Sequence, residues 1–301
     1  MKTIHSILLL CVVSLFFSCT VKKESKSTIE TSQKNIGLQL YSLRDSISSP
    51  AIGIDSVIRA VGQMGYKYVE AANYSDGKIY GMTPEAFKAK LDAAGMFALS
   101  CHVRKDMAPK MDSVWAWWDQ CIAVHKAAGM KYIVMPSMPK PENVKQLQAY
   151  CDYFNQIGEK CKAAGLQFGY HNHHDEFETM LSTGKTPSDS IAWYDYMVQN
   201  TDPSKVFFEL DVYWSQKGGR LATELFKQYP GRFPLLHIKD ETELGGSDNY
   251  VNFEDLFNNI DPTTKYLIVE VERYNLPPFE SVKTSLDYLN NASFVKNDYS
   301  K

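Results

Sequence analysis

Residues 170–178 read YHNHHDEFE, three histidines and three acids in nine positions of a chain with seven histidines in all. Further on, acids and bases recur in pairs two residues apart: Glu209 and Asp211 in VFFELDV, His237 and Lys239 in FPLLHIK, Glu270 and Glu272 in YLIVEVE. Strand residues two apart share a face, so each pair can look the same way. Burying this many ionisable groups around one axis is costly unless they pair or hold a metal. A histidine of the cluster with Asp211, His237 and Glu270 makes a mixed nitrogen and oxygen set. That set suits one divalent ion, Mn²⁺, Co²⁺, Zn²⁺ or Mg²⁺. Earlier in the chain Gln39, Tyr41, Arg44, Glu70 and His102 stand at similar positions. Each has a plainer reading, since a lone Glu70 or Glu209 can be a salt-bridge partner and His102 a satisfied core histidine. His125 falls mid-helix and reads as structural, whereas His174, Asp175 and Glu178 read as solvated loop residues. The metal reading rests on Asp211, His237 and Glu270.

The elements that must position these residues are eight short apolar or β-branched runs, at 36–41, 67–72, 97–103, 131–136, 166–171, 206–212, 233–239 and 266–272. Amphipathic stretches separate them, among them 52–64, 84–94, 111–128 and 141–163, and a further one at 278–291 follows the last run. Three helical stretches close on Ala-Ala-Gly, at Gly95, Gly129 and Gly165, where glycine turns the chain cheaply into the next strand. Strict alternation implies parallel strands with right-handed crossovers, and eight units in this length predict a single (β/α)₈ TIM barrel. A doubly wound open sheet is the alternative, but YSLRDSISSP after the first strand has no glycine with which to cradle a phosphate. In a barrel the chemistry sits at the C-terminal strand ends, where these residues fall.

The first nineteen residues read as a signal peptide. A short positive start leads into an apolar run, 6–17, that is too short to span a bilayer, and FFSC then places Cys19 as in a relaxed bacterial lipobox. An ordinary secretory signal with a chance cysteine is the alternative. Residues 20–35 are polar, lack aromatics and read as a flexible tether, leaving 36–301 as the barrel. The expected protein is exported and lipid-anchored through Cys19, on the periplasmic side or at the cell surface. A net charge of −3 gives no hint of a nucleic-acid partner. Cys101, Cys121, Cys151 and Cys161 match no zinc or redox spacing and read as buried thiols. Homo-oligomerisation is left open.

In order, YHNHHDEFE, ELDVYW, LLHIKD and IVEVERY, with IGLQLYSLRD at the start and PPFESVKTSLDYL at the close, resemble the xylose isomerase-like TIM barrels, the sugar phosphate isomerase/epimerase superfamily. The resemblance spans nearly the whole domain. It implies one divalent metal held by an acid after strand five, an Asp after strand six, a His after strand seven and a Glu after strand eight. The last three fall on Asp211, His237 and Glu270. At strand five this chain departs, and His171 stands where the acid is expected, with His173 or Glu176 as alternatives. Trp214 stands where many members carry a further histidine, which argues against an endonuclease-like cluster of metals. GGSDNYVNF replaces a Gly-Glu-Gly turn, so the resemblance leaves selectivity open.

The implied substrate is a small carbohydrate. A divalent ion chelating a sugar carbonyl and its neighbouring hydroxyl acidifies the C–H between them and stabilises the enediolate. Glu272 or His173 is expected as base, with Lys239 facing the developing oxyanion. Gln39, Arg44, Glu70 and His102 are expected to bind hydroxyls from the opposite wall, with Glu176 joining them if it is not a ligand. Trp214, Tyr213 and Tyr274 could offer apolar faces. The enediolate can be reprotonated, making an isomerase or epimerase on a free sugar or glycoside-derived ketose. It can also expel a β-substituent, making a lyase or hydratase on an oxidised glycoside. A non-catalytic carbohydrate-binding lipoprotein is a third reading. Export favours free sugars or glycosides over sugar phosphates.

Overall fold

Runs such as Val-Phe-Phe-Glu-Leu-Asp are apolar or branched at nearly every position, and that pattern suits a strand covered on both faces. The computed structural model, which describes residues 33–184, 189–246 and 249–301, shows eight of them. They are β1 (Ile36–Gln39), β2 (Tyr68–Ala71), β3 (Phe97–Cys101), β4 (Tyr132–Met135), β5 (Gln167–His171), β6 (Val206–Asp211), β7 (Leu235–Ile238) and β8 (Tyr266–Val269). All are buried throughout except the first residues of β3 and β5. Every pairing between them is parallel, in the order β3-β2-β1-β8-β7-β6-β5-β4. The ends meet where Lys131 N donates to Leu99 O at 2.9 Å and Val103 N to Val134 O at 2.9 Å, which closes the (β/α)₈ barrel.

The helices that follow the strands in turn are α1 (Gly53–Met64), α2 (Pro84–Ala93), α3 (Met111–Ala127), α4 (Val144–Ala164), α5 (Trp193–Asn200), α6 (Ala222–Gln228), α7 (Phe253–Asn258) and α8 (Pro278–Asn291). Their starts are written in the sequence. Thr83 accepts from Ala86 N ahead of Pro84, and Asn143 accepts from Gln146 N at 3.0 Å. The three Ala-Ala-Gly closures behave as expected, with φ of 72° at Gly95, 78° at Gly129 and 84° at Gly165. Two hairpins add to the strands expected from the sequence: Tyr74–Ser75 with Lys78–Ile79 after β2, and Met180–Ser182 with Ser190–Ala192 after β5.

The barrel interior is layered. Its lower plug is Tyr68, Leu99, Tyr132, Val134, Phe207, Leu235, Tyr266 and Ile268. Rings this large fit only because β1 and β5 carry glycine opposite them. A Cβ on Gly37 would lie 2.1 Å from the Tyr68 ring, and one on Gly169 would lie 2.4 Å from the Phe207 ring. One pleat higher, the same inward faces carry Gln39, Glu70, His171, Glu209 and His237. In β3 the regular alternation would turn His102 outward, but the register shifts between Val69 and Glu70, so that Ser100 rather than Leu99 pairs with Glu70. That bulge brings His102 back to the inside.

All eight strands are shorter than the runs expected, so that Lys239 lies just past β7 and Glu270 and Glu272 just past β8. The expected signal peptide with Cys19 and most of the expected tether lie outside the described residues. Its last residues belong to the barrel: Lys34 is buried, with Nζ donating to Leu289 O at 2.8 Å, and Asn35 N donates to Asn297 O at 2.7 Å. Cys101, Cys121, Cys151 and Cys161 are free and buried.

The plug and the buried histidine of α3 each make stability testable. Gly37→Ala should destabilise the barrel by about 1–3 kcal/mol through overpacking against Tyr68. An unchanged denaturation midpoint would show that the plug yields freely. His125 is buried in α3 with Nδ1 2.6 Å from Cys121 O, and burial lowers its pKa from 6.5 to about 4. The unfolded chain therefore binds the extra proton first, and this contribution to stability is lost as pH falls from 6.5 towards 4. His125→Gln should flatten the stability profile in that window, and an equally steep profile in the variant would refute the assignment.

Candidate metal centre and substrate pocket

The residues expected to hold a metal converge at the C-terminal end of the barrel. His171, Asp211, His237 and Glu270 are all buried, and one donor atom from each lies within 4.8 Å of the others. His237 Nδ1 is 3.4 Å from Glu270 Oε2 and 3.9 Å from Asp211 Oδ2, and His171 Nε2 is 4.0 Å from Asp211 Oδ2. Ligands at about 2.1 Å from a common ion stand about 3–3.5 Å apart, so a small inward movement closes the set.

Each histidine has a carboxylate beside its other ring nitrogen. His237 Nε2 bonds to Glu70 Oε1 at 2.7 Å, the usual support of a metal-binding imidazole, which fixes the ring and raises its basicity. His171 Nδ1 lies 3.3 Å from Glu209 Oε2 without a hydrogen bond. Gln39 Nε2 donates to Glu70 at 2.7 Å, and His102 Nε2 sits 2.9 Å from Glu70 and 2.8 Å from Glu209. Glu70 and Glu209 thus lie beneath the donor set as its supports. A second group, His102, His171, Glu209 and His237, is also close enough to hold an ion, but it uses the same two histidines.

Asp211 is held by a residue that carries no such mark in the sequence. The Asn172 side chain accepts from Asp211 N at 3.0 Å and donates to Asp211 O at 3.2 Å. Asp211 Oδ1 caps the short helix Val212–Lys217 through Trp214 N at 2.8 Å, and Oδ2 is left buried without a hydrogen-bond partner. The protonation states show the same strain. Burial pushes Asp211 up to about 7 against the pull of Lys239 and His237. Burial, helped by the neighbouring His237 and His102, holds His171 well below its ordinary value. Burial opposes charge on His237 too, but Glu209, Glu270 and Glu70 outweigh it and raise its pKa. Burial together with the nearby Glu70 raises Glu209 to about 7. A neutral imidazole beside a carboxyl with an orphaned oxygen is a donor set for a cation, and an ion there would restore the Asp211 charge. The residues fit a divalent metal.

Above this set opens a cavity of about 640 Å³, lined by His102, His171, His173, Glu270 and Glu272 on its floor and near wall. Tyr41, Tyr74, Arg104 and Ser137 form the far wall. Lys239 is buried between Glu270 at 3.3 Å and Glu272 at 3.2 Å, with Nζ 5.6 Å from the Trp214 ring centroid. Burial lowers the pKa of His173 to about 4, so its imidazole is neutral.

Several expected substrate contacts lie elsewhere. Arg44 donates to Tyr41 O, Tyr274 OH and Glu272 O, tying the β1 and β8 loops together rather than binding hydroxyls. Glu176 accepts from Tyr170 OH at 2.8 Å and His173 N at 3.0 Å, on the outer side of β5, because its helix, Asp175–Glu178, turns it away from the mouth. Gln39 and Glu70 belong to the buried support. Tyr213 donates to Glu241, and Tyr274 donates to Ser42 O at 2.6 Å. Trp214 packs 5.8 Å from the His173 ring and 5.3 Å from the His174 ring. Tyr74, Arg104 and Ser137 are additions to the expected wall, since nothing in their local sequence marks a cavity.

A family model described as xylose isomerase-like TIM barrel matches residues 58–292. The chain belongs to the xylose isomerase-like TIM barrel family. Two solved structures from Parabacteroides distasonis ATCC 8503, both described as sugar phosphate isomerase/epimerase, are similar. One is 31% identical with a TM-score of 0.81, covering 89% of this chain and 98% of its own. The other is 34% identical with a TM-score of 0.79, covering 87% and 100%. Among curated proteins, inosose dehydratase of Geobacillus kaustophilus (strain HTA426) is 21% identical over 208 residues, which is 62% of this chain. The chain spans 61% of that relative's length. The candidate donor set of this chain takes a histidine, His171, from β5.

Metal titration separates the roles. Asp211→Ala should abolish Mn²⁺ uptake. Asn172→Ala should weaken it by roughly 10–100-fold, as loss of an outer-shell partner does. Lys239→Ala should leave the ion bound. Loss of metal in the lysine variant would show that Lys239 holds Glu270 in place instead.

Proposed function

We propose that this chain is a divalent-metal-dependent sugar isomerase or epimerase acting on a free sugar or a glycoside-derived ketose through an enediolate. The convergence of His171, Asp211, His237 and Glu270 beneath a sugar-sized cavity carries this reading. A divalent ion held by these four would polarise a sugar carbonyl and its neighbouring hydroxyl, acidifying the C–H between them.

The chain's own groups do the rest. Glu272 reaches the cavity wall beside Lys239 and is the proposed base, taking the proton from the carbon. Glu272, protonated by that step, returns the proton to the adjacent carbon, and His173, a neutral imidazole lining the same cavity, is the alternative base. Lys239 keeps its positive charge next to the oxygen on which negative charge grows. His102 donates to a hydroxyl from the cavity floor while Glu70 and Glu209 hold it still.

A second reading is supported by the similarity to inosose dehydratase. The same proton is removed, but the electron pair then expels a substituent from the next carbon, and Glu272, now protonated, gives its proton to the departing oxygen. We propose further that the chain works outside the cytoplasm, anchored by lipid on Cys19. The apolar run at 6–17 followed by FFSC supports this. Cys19→Ser should move the protein from the membrane fraction to the soluble one.

Incubating a panel of ketoses and oxidised glycosides in D₂O with Mn²⁺-loaded protein tests the chemistry by NMR. Isomerisation or epimerisation should exchange the proton next to the carbonyl while every carbon stays in one molecule, and elimination should release the substituent. Lys239→Ala should slow either reaction by roughly 10²–10³-fold. If no substrate proton exchanges and nothing is released, the enzymatic reading fails.

A further inference from the structure

The lip of the cavity carries an exposed aromatic ring. Tyr41 is 45% exposed, yet it lines the cavity. It is also rigidly held. Its backbone N–H donates to Gln39 Oε1 at 3.0 Å, and Gln39 in turn donates to Glu70 at 2.7 Å. The Arg44 guanidinium lies 4.7 Å from the ring centroid, fixed by bonds to Tyr41 O, Tyr274 OH and Glu272 O. An exposed aromatic braced from behind is a preformed stacking surface.

The charges around the same cavity say what can approach it. Among the described residues lining it, Arg104 is the one lysine or arginine. Its guanidinium faces Asp106 through Nε and Nη2, both at 2.9 Å, and Ser137 through Nη1 at 3.1 Å. Lys239 below faces Glu270 and Glu272. A phosphate dianion entering here would meet two carboxylates, an arginine already paired with Asp106 and a His102 already held by Glu70 and Glu209, without the bidentate fork that holds such groups.

From these two observations we propose that the cavity takes an uncharged saccharide of at least two units. The reacting unit lies over the donor set, and the next unit stacks its apolar face on Tyr41. The inference rests on the proposed sugar chemistry and narrows it to neutral, extended substrates. The cavity's volume, in the range of sites that enclose ligands larger than one ring, agrees with it.

Calorimetry on the full chain in detergent, loaded with Mn²⁺, tests the proposal with fructose, fructose 6-phosphate and three neutral keto-disaccharides, lactulose, maltulose and isomaltulose. At least one disaccharide should bind several-fold to about tenfold more tightly than fructose, the gain expected of one aromatic stack. Fructose 6-phosphate should bind more weakly than fructose. Tyr41→Ala should bring the ratio of disaccharide to fructose affinity near one, and Tyr41→Trp should keep it. Tighter binding of the phosphate, an unchanged ratio in Tyr41→Ala, or no disaccharide advantage would each overturn the proposal. Proton exchange on fructose in D₂O tells the two failures apart. Exchange without a disaccharide advantage refutes only the stacking subsite, whereas neither exchange nor binding refutes the sugar chemistry as well.

Discussion

The structure turns on a ring of charge buried at the barrel axis, in which two carboxylates, Glu70 and Glu209, bind three imidazoles. Glu70 Oε1 alone meets Gln39, His102 and His237. Below the ring the interior is a plug of aromatic and aliphatic side chains, so water is a poor competitor there. Ionised groups survive in such a place only when each has a partner, and removing one leaves the others uncompensated. Here the pairing is incomplete. Glu70 Oε2, Glu209 Oε1 and Asp211 Oδ2 are buried without hydrogen-bond partners. Left as it stands, that surplus of acceptors would destabilise the barrel, and its orderly placement around two imidazoles is what a bound cation would require.

The strands convert sequence spacing into depth along the axis. Because side chains alternate with period two, β6 supplies Glu209 to the supporting layer and Asp211 to the layer above. In the same way β7 and its continuation supply His237 and then Lys239. Register therefore fixes chemistry. Asp211 pairs with His237 across β6 and β7, and a one-residue slip would turn both outward. The β3 bulge is the same rule used in reverse, since the extra residue restores His102 to the interior. The glycines of β1 and β5 belong to this arrangement too, because a plug of rings sets the height at which the charged layer sits.

Much of this arrangement is legible in the amino-acid sequence. Asp211, His237 and Glu270 can be read because strand alternation dictates their direction and successive parallel strands bring their ends together. Residues beyond the strand ends are not legible in the same way. Glu176 is five residues from His171, yet one helical turn sends its carboxylate to the outward Tyr170. Arg44 carries a charge near the mouth, but a turn at the end of β1 directs it into loop carbonyls. Asn172 faces away from the cavity, as alternation requires, and still governs Asp211, because its amide matches the peptide of the neighbouring strand. That role depends on the pairing register of β5 with β6, which composition does not reveal. Lys34 is equally hidden at the other end of the chain, since a polar stretch gives no sign that its lysine fills carbonyl acceptors at the C-terminal end of α8.

The histidine on β5 sets the charge of the donor set. With His171 neutral, the donor set brings two carboxylates, Asp211 and Glu270, and two imidazoles. An acid in the place of His171 would add a third negative charge and fully neutralise a divalent ion with one to spare. Two carboxylates would balance a divalent ion's charge without exceeding it, leaving more of its polarising power for a substrate oxygen in the proposed reaction. Two nitrogen donors also move the set away from Mg²⁺, which prefers oxygen and keeps its water, towards Mn²⁺, Co²⁺ or Zn²⁺. With a histidine rather than a carboxylate at β5, the proposed proton transfer would fall to groups one step higher, and Glu272 and His173 are the residues that the barrel's alternation carries there.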